Sequence, residues 1–79
     1  MKLYIISPLY KRTEVIAWIE LNTGAGNFII QNGHAPTLLS LAPEQEVTFR
    51  LDSGKNEALL VHRGFANVTR DSVTLLLNK

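Results

Sequence analysis

Along most of the chain apolar and polar residues alternate with a period of two, the repeat of a half-buried strand. No window keeps an apolar i, i+3, i+4, i+7 pattern over helical length, so the alternation predicts an all-β chain. Leu3 to Ser7 reads as a first short strand closed by Pro8, whose missing N–H suits a strand end or an edge. Glu14 to Leu21 predicts a long strand with Val15, Ala17, Ile19 and Leu21 on one buried face and Ile16, Trp18 and Glu20 on the other. Asn22 to Asn27 is turn chemistry, and Phe28 to Gln31 is the returning strand. Asn32-Gly33 is a strong hairpin signal, yet Pro36 restrains Ala35 to extended geometry and withholds a ladder donor. A wider corner is therefore expected, with Gly33 permitting the reversal and Pro36 preventing an ordinary hairpin.

Thr37 to Pro43 is a short extended segment, and Glu46 to Leu51 alternates Val47, Phe49 and Leu51 inward. Asp52 to Asn56 loops back into Glu57 to Arg63, giving a hairpin. Gly64 interrupts the next segment, and Phe65 to Thr69 with Val73 to Asn78 form a last hairpin around Arg70, Asp71 and Ser72. Roughly eight to ten short, mostly antiparallel strands with frequent turns predict a sandwich or barrel.

Composition narrows the function classes. Residues 1–79 are read as a single domain, and a chain this short buries only about 60% of the surface it exposes when unfolded. Hydrophobic residues make up 46% of the chain and there is no cysteine, so a packed core is expected without disulfides, and a Cys-based metal or redox site is excluded. The net charge is +1 and Lys11-Arg12 is the only adjacent basic pair, which argues against nucleic acid as a partner. The apolar run near the N-terminus ends at Ser7-Pro8, too short for a signal or membrane segment.

No constellation reads as catalytic. Gly24 to Phe28 resembles half of a dinucleotide fingerprint, but the third glycine and the following helix are missing, so the segment reads as a turn. His34 and His62 are the only histidines and have no carboxylate at ligand spacing, so no metal site is expected. Ser7, Ser40, Ser53 and Ser72 lie in no nucleophile elbow. Glu44, Glu46, Asp52, Glu57 and Asp71 sit beside turns, where solvated charge is the ordinary explanation. The Asn-Val-Thr triplet at Asn67 reads as an accidental glycosylation match. The expectation is a non-catalytic protein without a cofactor.

The order "GAGNFIIQNGHAPTLLSLAP", then a hairpin, then "RGFANVTRDSVTLLL" resembles the N-terminal β-sandwich domain of the epsilon subunit of F-type ATP synthases. "LYIISP" and "VIAWIELNT" stand where that family has its first two strands, and Gly33, His34, Ala35 and Pro36 are the most specific part. The resemblance covers the whole chain. It implies a two-sheet sandwich of about ten short strands on the rotating central stalk of a proton-translocating synthase. Such a domain does no chemistry; it binds the gamma subunit and the c-ring in a heteromeric complex and couples ion flow to ATP synthesis. The implied location is peripheral, on the cytoplasmic face of the inner, energy-transducing membrane, without direct insertion.

Carried over by position, Gly24, Ala25, Gly26 and Asn27 match the turn that meets the c-ring, while Ser7, His34 and Leu39 match the side turned toward gamma. His34 is then expected to be exposed and to contribute contact rather than catalysis. Asn27, Ile29, Asn32 and Arg63 depart from the acidic residue, glycine, proline and glycine common at those places. The family commonly continues into a C-terminal helical hairpin, whereas this chain stops at Lys79. Taken as a whole protein it would couple and assemble without inhibiting itself through helices or sensing ATP. The other class of reading is a stand-alone small sandwich that binds a peptide or carbohydrate through an exposed edge or face.

Overall fold

Lys11–Thr23 is thirteen residues of unbroken strand, and in a computed structural model describing residues 1–78 it belongs to both sheets of the molecule. In chain order the strands are β1 (Lys2–Ile6), β2 (Lys11–Thr23), β3 (Gly26–Gln31), β4 (Thr37–Ser40), β5 (Gln45–Leu51), β6 (Asn56–Val61), β7 (Gly64–Val68) and β8 (Ser72–Leu77). One sheet runs β4-β7-β8-β1-β2, using the first part of β2; the second runs β3-β2-β5-β6, using the rest. Every pairing is antiparallel except β1 with β8, where Lys2 lies beside Ser72 and Ile6 beside Leu76. The fold is all-β, as the alternation predicts, and two-layered, as the family resemblance implies. Eight strands are found among the described residues rather than about ten, and β2 counts once although it serves two sheets.

A strict alternation would bury Val15, Ala17, Ile19 and Leu21 together. Instead Val15 and Ala17 face solvent, while Ile16, Ile19 and Leu21 are buried. The register of β2 against β5 slips between Ile16 and Trp18, so one extra residue enters the strand there. An extra residue reverses the parity of a strand and increases its local bend and twist. Before the slip the inward face carries Arg12, Glu14 and Ile16; after it, Ile19 and Leu21.

The core is built from both layers. Leu3, Ile5, Ala66, Val68, Val73 and Leu75 come from the first sheet, and Ile19, Leu21, Ile30, Val47, Phe49 and Val61 from the second. Phe49 is the largest fully buried side chain, and Val47 beside it faces inward as the alternation of β5 predicts.

One charged cluster joins the layers at the margin of the core. The Arg12 guanidinium, from the β1 side of β2, lies 2.8 Å from Glu14 and 2.6 Å from Glu57 on β6, with its carbon 5.6 Å from the centre of the Phe49 ring. The hydrogen bond to Glu14, then that to Glu57, raises the Arg12 pKa above its ordinary value, so the guanidinium stays charged. Glu57 is thus a half-buried strand residue with a partner, not the solvated turn charge that its neighbours in sequence suggest.

Gly64 opens β7 at a close approach of two strands. A Cβ built there would lie 2.6 Å from the Leu76 carbonyl oxygen and 2.9 Å from a Leu77 methyl group. Gly64→Ala is accordingly expected to lower stability by about 1–3 kcal/mol, read as a reduced midpoint in urea unfolding, through forced displacement of β8 backbone. Because Arg12 and its partners are partly solvent-exposed, Arg12→Leu and Glu57→Gln are expected to show a coupling of only about 1 kcal/mol in a double-mutant cycle. A coupling near zero would mean that the pair does not hold the layers together.

Candidate partner-binding surfaces

The tight reversal between β2 and β3 is narrower than its turn-rich sequence suggests. Only Gly24 and Ala25 lie outside the ladder, because Thr23 pairs with Gly26 and Asn22 with Asn27. The Thr23 hydroxyl accepts the Ala25 N–H at 3.1 Å and donates to the Gly26 carbonyl at 2.9 Å, while the Asn27 amide donates to the Asn22 side chain at 2.9 Å. The tip at Gly24 to Asn27 is exposed and carries no charge. Its neutral polar surface suits another polar loop better than a phosphate.

Ser7 lies nearly buried at the reversal between β1 and β2. It is 8% exposed, its N–H donates to the Tyr10 carbonyl at 2.9 Å, and its hydroxyl accepts the Leu9 N–H at 3.1 Å. Its side chain caps the β1-β2 reversal and leaves Leu9, 82% exposed, at the tip.

The Gly-His-Ala-Pro corner has the expected open form. Gly33 takes φ +88°, a conformation that disfavours side chains, and its N–H reaches the Arg70 carbonyl in the β7-β8 turn at 2.6 Å. The His34 N–H closes a turn onto the Gln31 carbonyl at 3.1 Å. His34 is half-buried rather than fully exposed, and its Nδ1 lies 2.8 Å from the Ala35 carbonyl oxygen. A carbonyl can only accept, so Nδ1 carries the proton, and in the neutral ring Nε2 is left as an acceptor. Leu39 sits on the inward side of β4, half-buried and packed against the core, with only its edge position giving it access.

These residues do not form one compact cluster. Ser7 follows the end of β1 that lies beside the C-terminal end of β8, whereas the His34 corner is tied to Arg70, before β8 begins. The length of β8 separates them by about 17 Å. Leu39 lies on the outermost strand of the same sheet, so the three stand around its perimeter.

The sheet between them presents a surface that alternation alone does not single out. Its outward residues run in cross-strand rows, Ser40-Phe65-Leu76-Ile6-Lys11 and Leu38-Asn67-Thr74-Tyr4-Thr13. Leu38, Phe65, Leu76 and Tyr4 are 67%, 52%, 44% and 37% exposed, large values for apolar side chains. A groove of about 580 Å³ continues this surface at the Phe65-Leu76 end, with Pro43 and Arg63 on its walls. The signal for it lies in the unbroken apolar run Leu75-Leu76-Leu77, which must place one leucine outside.

The remaining candidate chemistry is absent or paired. No group of three potential metal ligands occurs among the described residues. His62 Nδ1 is 2.9 Å from Glu44, whose backbone takes φ 58°, so this exposed pair fastens the turn before β5 to the end of β6. Among the described residues no helix is long and apolar enough to cross a membrane.

Comparison with solved structures finds the same architecture elsewhere. A chain of the Euglena gracilis mitochondrial ATP synthase, in a structure of OSCP/F1/c-ring in rotational state 1, matches with a TM-score of 0.88 and 24% identity. The match covers 98% of this chain and 49% of that one. A chain of the Tetrahymena thermophila mitochondrial ATP synthase, in a structure of its central stalk and c-ring, matches with a TM-score of 0.83 and 17% identity, over 100% of this chain and 63% of that one. The chain thus spans about half the length of the first and less than two thirds of the second. At such identities the likeness carries the fold. A search of curated proteins by sequence finds no match. The family model for the ATP synthase delta/epsilon chain beta-sandwich domain, however, matches residues 1–79, from one end of the sequence to the other. The chain therefore belongs to the ATP synthase delta/epsilon chain family as its beta-sandwich domain.

Proposed function

We propose that the chain is a non-catalytic central-stalk component of a proton-translocating F-type ATP synthase, binding the gamma subunit and the c-ring to couple ion flow to ATP synthesis. The observation that carries this reading is the family match over residues 1–79. Both solved relatives come from structures of mitochondrial ATP synthases that include the c-ring, in one case together with the central stalk. The exposed turn at Gly24, Ala25, Gly26 and Asn27 meets polar loops of the c-ring on this reading. The side bearing Ser7, His34 and Leu39 turns toward gamma. His34 offers Nε2, Leu39 its edge, and Ser7 the shape of a reversal rather than a free hydroxyl.

The function is heteromeric contact, with the domain peripheral to the membrane on the cytoplasmic face of the inner, energy-transducing bilayer. A lever of this kind needs stiffness and complementary surfaces, not a cleft. A stand-alone module for peptide or carbohydrate is not favoured by the family membership.

Tagged chain recovered from its own membranes is expected to bring down gamma and c subunits together. Recovery of neither, with retention on a peptide or glycan array instead, would sink the stalk reading. His34→Asn removes Nε2 and is expected to weaken gamma binding by about 1 kcal/mol, read by titration calorimetry, with the unfolding midpoint nearly unchanged.

A further inference from the structure

We infer that Asn32 and Gly33 are a self-modification site, at which the Asn32 carboxamide is converted through a succinimide to aspartate and isoaspartate at a rate governed by the hydrogen bond from Gly33 to Arg70. This goes beyond the stalk reading and does not depend on it. Asparagine is among the thermolabile side chains, and its lability depends on how freely the next backbone nitrogen can reach it. Six asparagines occur in the chain, and only Asn32 precedes a glycine. Asn22, Asn27, Asn56 and Asn67 lie within strands, where the following peptide is held in extended geometry. The Asn22 carboxamide also bonds the Glu46 carbonyl and the Asn27 side chain, and that of Asn56 accepts from Arg50. Asn78 precedes a lysine. Asn32 instead lies in a turn, exposed together with Gly33, and a Cβ built on Gly33 would meet nothing within 4 Å. The Gly33 nitrogen therefore has open space around it.

The reaction needs only solvent. The Gly33 backbone nitrogen gives its proton to hydroxide and attacks Asn32 Cγ; the new N–C bond closes a five-membered succinimide, the Cγ–Nδ2 bond breaks, and ammonia leaves. Water then opens the ring at one of its two carbonyls. Opening at Cγ leaves aspartate, and opening at the main-chain carbonyl leaves isoaspartate, with the chain running through the side-chain carbon. No electron is gained or lost in either step. The fold restrains the first step, because the Gly33 N–H is donated to the Arg70 carbonyl at 2.6 Å and so is neither free to leave nor free to swing toward Cγ. That carbonyl is itself held in place: the Thr69 hydroxyl accepts the Ser72 N–H at 3.1 Å, lies 2.7 Å from the Ser72 hydroxyl and donates to Asp71 at 3.1 Å, fixing the β7-β8 turn. Attack thus waits for a local opening of the corner away from that turn. Once ammonia has gone the change is one-way. The corner then carries a new carboxylate, and in the isoaspartyl form one more main-chain carbon, which displaces Gly33 from Arg70.

The test is incubation of the purified chain at mildly alkaline pH, folded and in guanidinium chloride, followed by proteolysis and mass spectrometry of the peptides. The expected result is replacement of amide by acid at Asn32 before any other asparagine, with isoaspartate among the products and ammonia released in equal amount. The folded chain is expected to react roughly fivefold or more slowly than the unfolded one, the factor that a single hydrogen bond confers. Thr69→Val leaves the Asn-Gly pair untouched but loosens the turn that positions the Arg70 carbonyl, and is expected to speed conversion about twofold or more. Asn32→Gln, whose longer side chain cannot close the five-membered ring, is expected to remove the conversion and to melt as the unaltered chain does. Thermal melts establish that Thr69→Val folds. Should it not fold, hydrogen exchange of the Gly33 amide takes its place: protection that matches the slowing of conversion supports the restraint, and an unprotected amide overturns it. Equal rates in the folded and unfolded chain, or in folded Thr69→Val and the unaltered chain, overturn the role of the hydrogen bond. An Asn32 that stays intact in the folded chain while the unfolded chain converts completely, or a first conversion at another asparagine, overturns the site.

Discussion

A strand that belongs to two sheets must bury one side in each, and in β2 the extra residue between Ile16 and Trp18 reconciles the two demands. Without it, a side chain directed inward beside β1 would be directed outward beside β5. With it, Ile16, Ile19 and Leu21 all enter one core although their spacing is irregular. The sandwich is therefore a single hydrogen-bonded surface folded over at a corner, and β2 joins the layers through its own backbone. Arg12, near one end of the same strand, adds a second tie by reaching Glu57 on β6.

That construction determines what the outside can do. A small sandwich places most of its apolar residues in its interior, so large apolar side chains left in solvent on one face are a cost unless something covers them. Leu38, Phe65, Leu76 and Tyr4 stand on the sheet whose outward charges have one sign, while Ile29 and Leu60 stand among mixed charges on the other. The backbone corners are satisfied internally: Ser7 caps its own reversal, and the His34 corner is bonded to the β7-β8 turn. Specific contact with a partner thus falls to side chains on flat surfaces and at an exposed tip, which suits contact with another protein better than enclosure of a ligand.

Much of this is legible in the alternation of residues. Val47 and Phe49 face inward as β5 predicts, the loop at Asp52 to Asn56 does join a hairpin, and Pro36 does widen the corner after Gly33. The failures share a cause, since each depends on contacts distant in sequence. Alternation puts Val15 and Ala17 inside because a bulge leaves no mark on the pattern of apolar residues, only on the pairing with β5. Glu57 reads as a solvated turn residue because its partner lies far back in the chain at Arg12. The outward face of the first sheet is hidden because its rows take one residue from each of five strands, and periodicity within any one strand does not reveal the row.

The parallel pairing of β1 with β8 has a temporal consequence. Lys2 waits for Ser72 and Ile6 for Leu76, so a nascent chain emerging from the ribosome keeps one edge of β1 open until β8 has been made. Joining segments far apart in sequence is slow compared with closing a hairpin, which puts this step late in assembly. During that interval the β1-β2 unit offers an unpaired edge to any neighbouring polypeptide. Arrival of β8 therefore acts as a check on the β1-β2 unit: only a chain that has extended through β8 can shut this sheet and withdraw that edge.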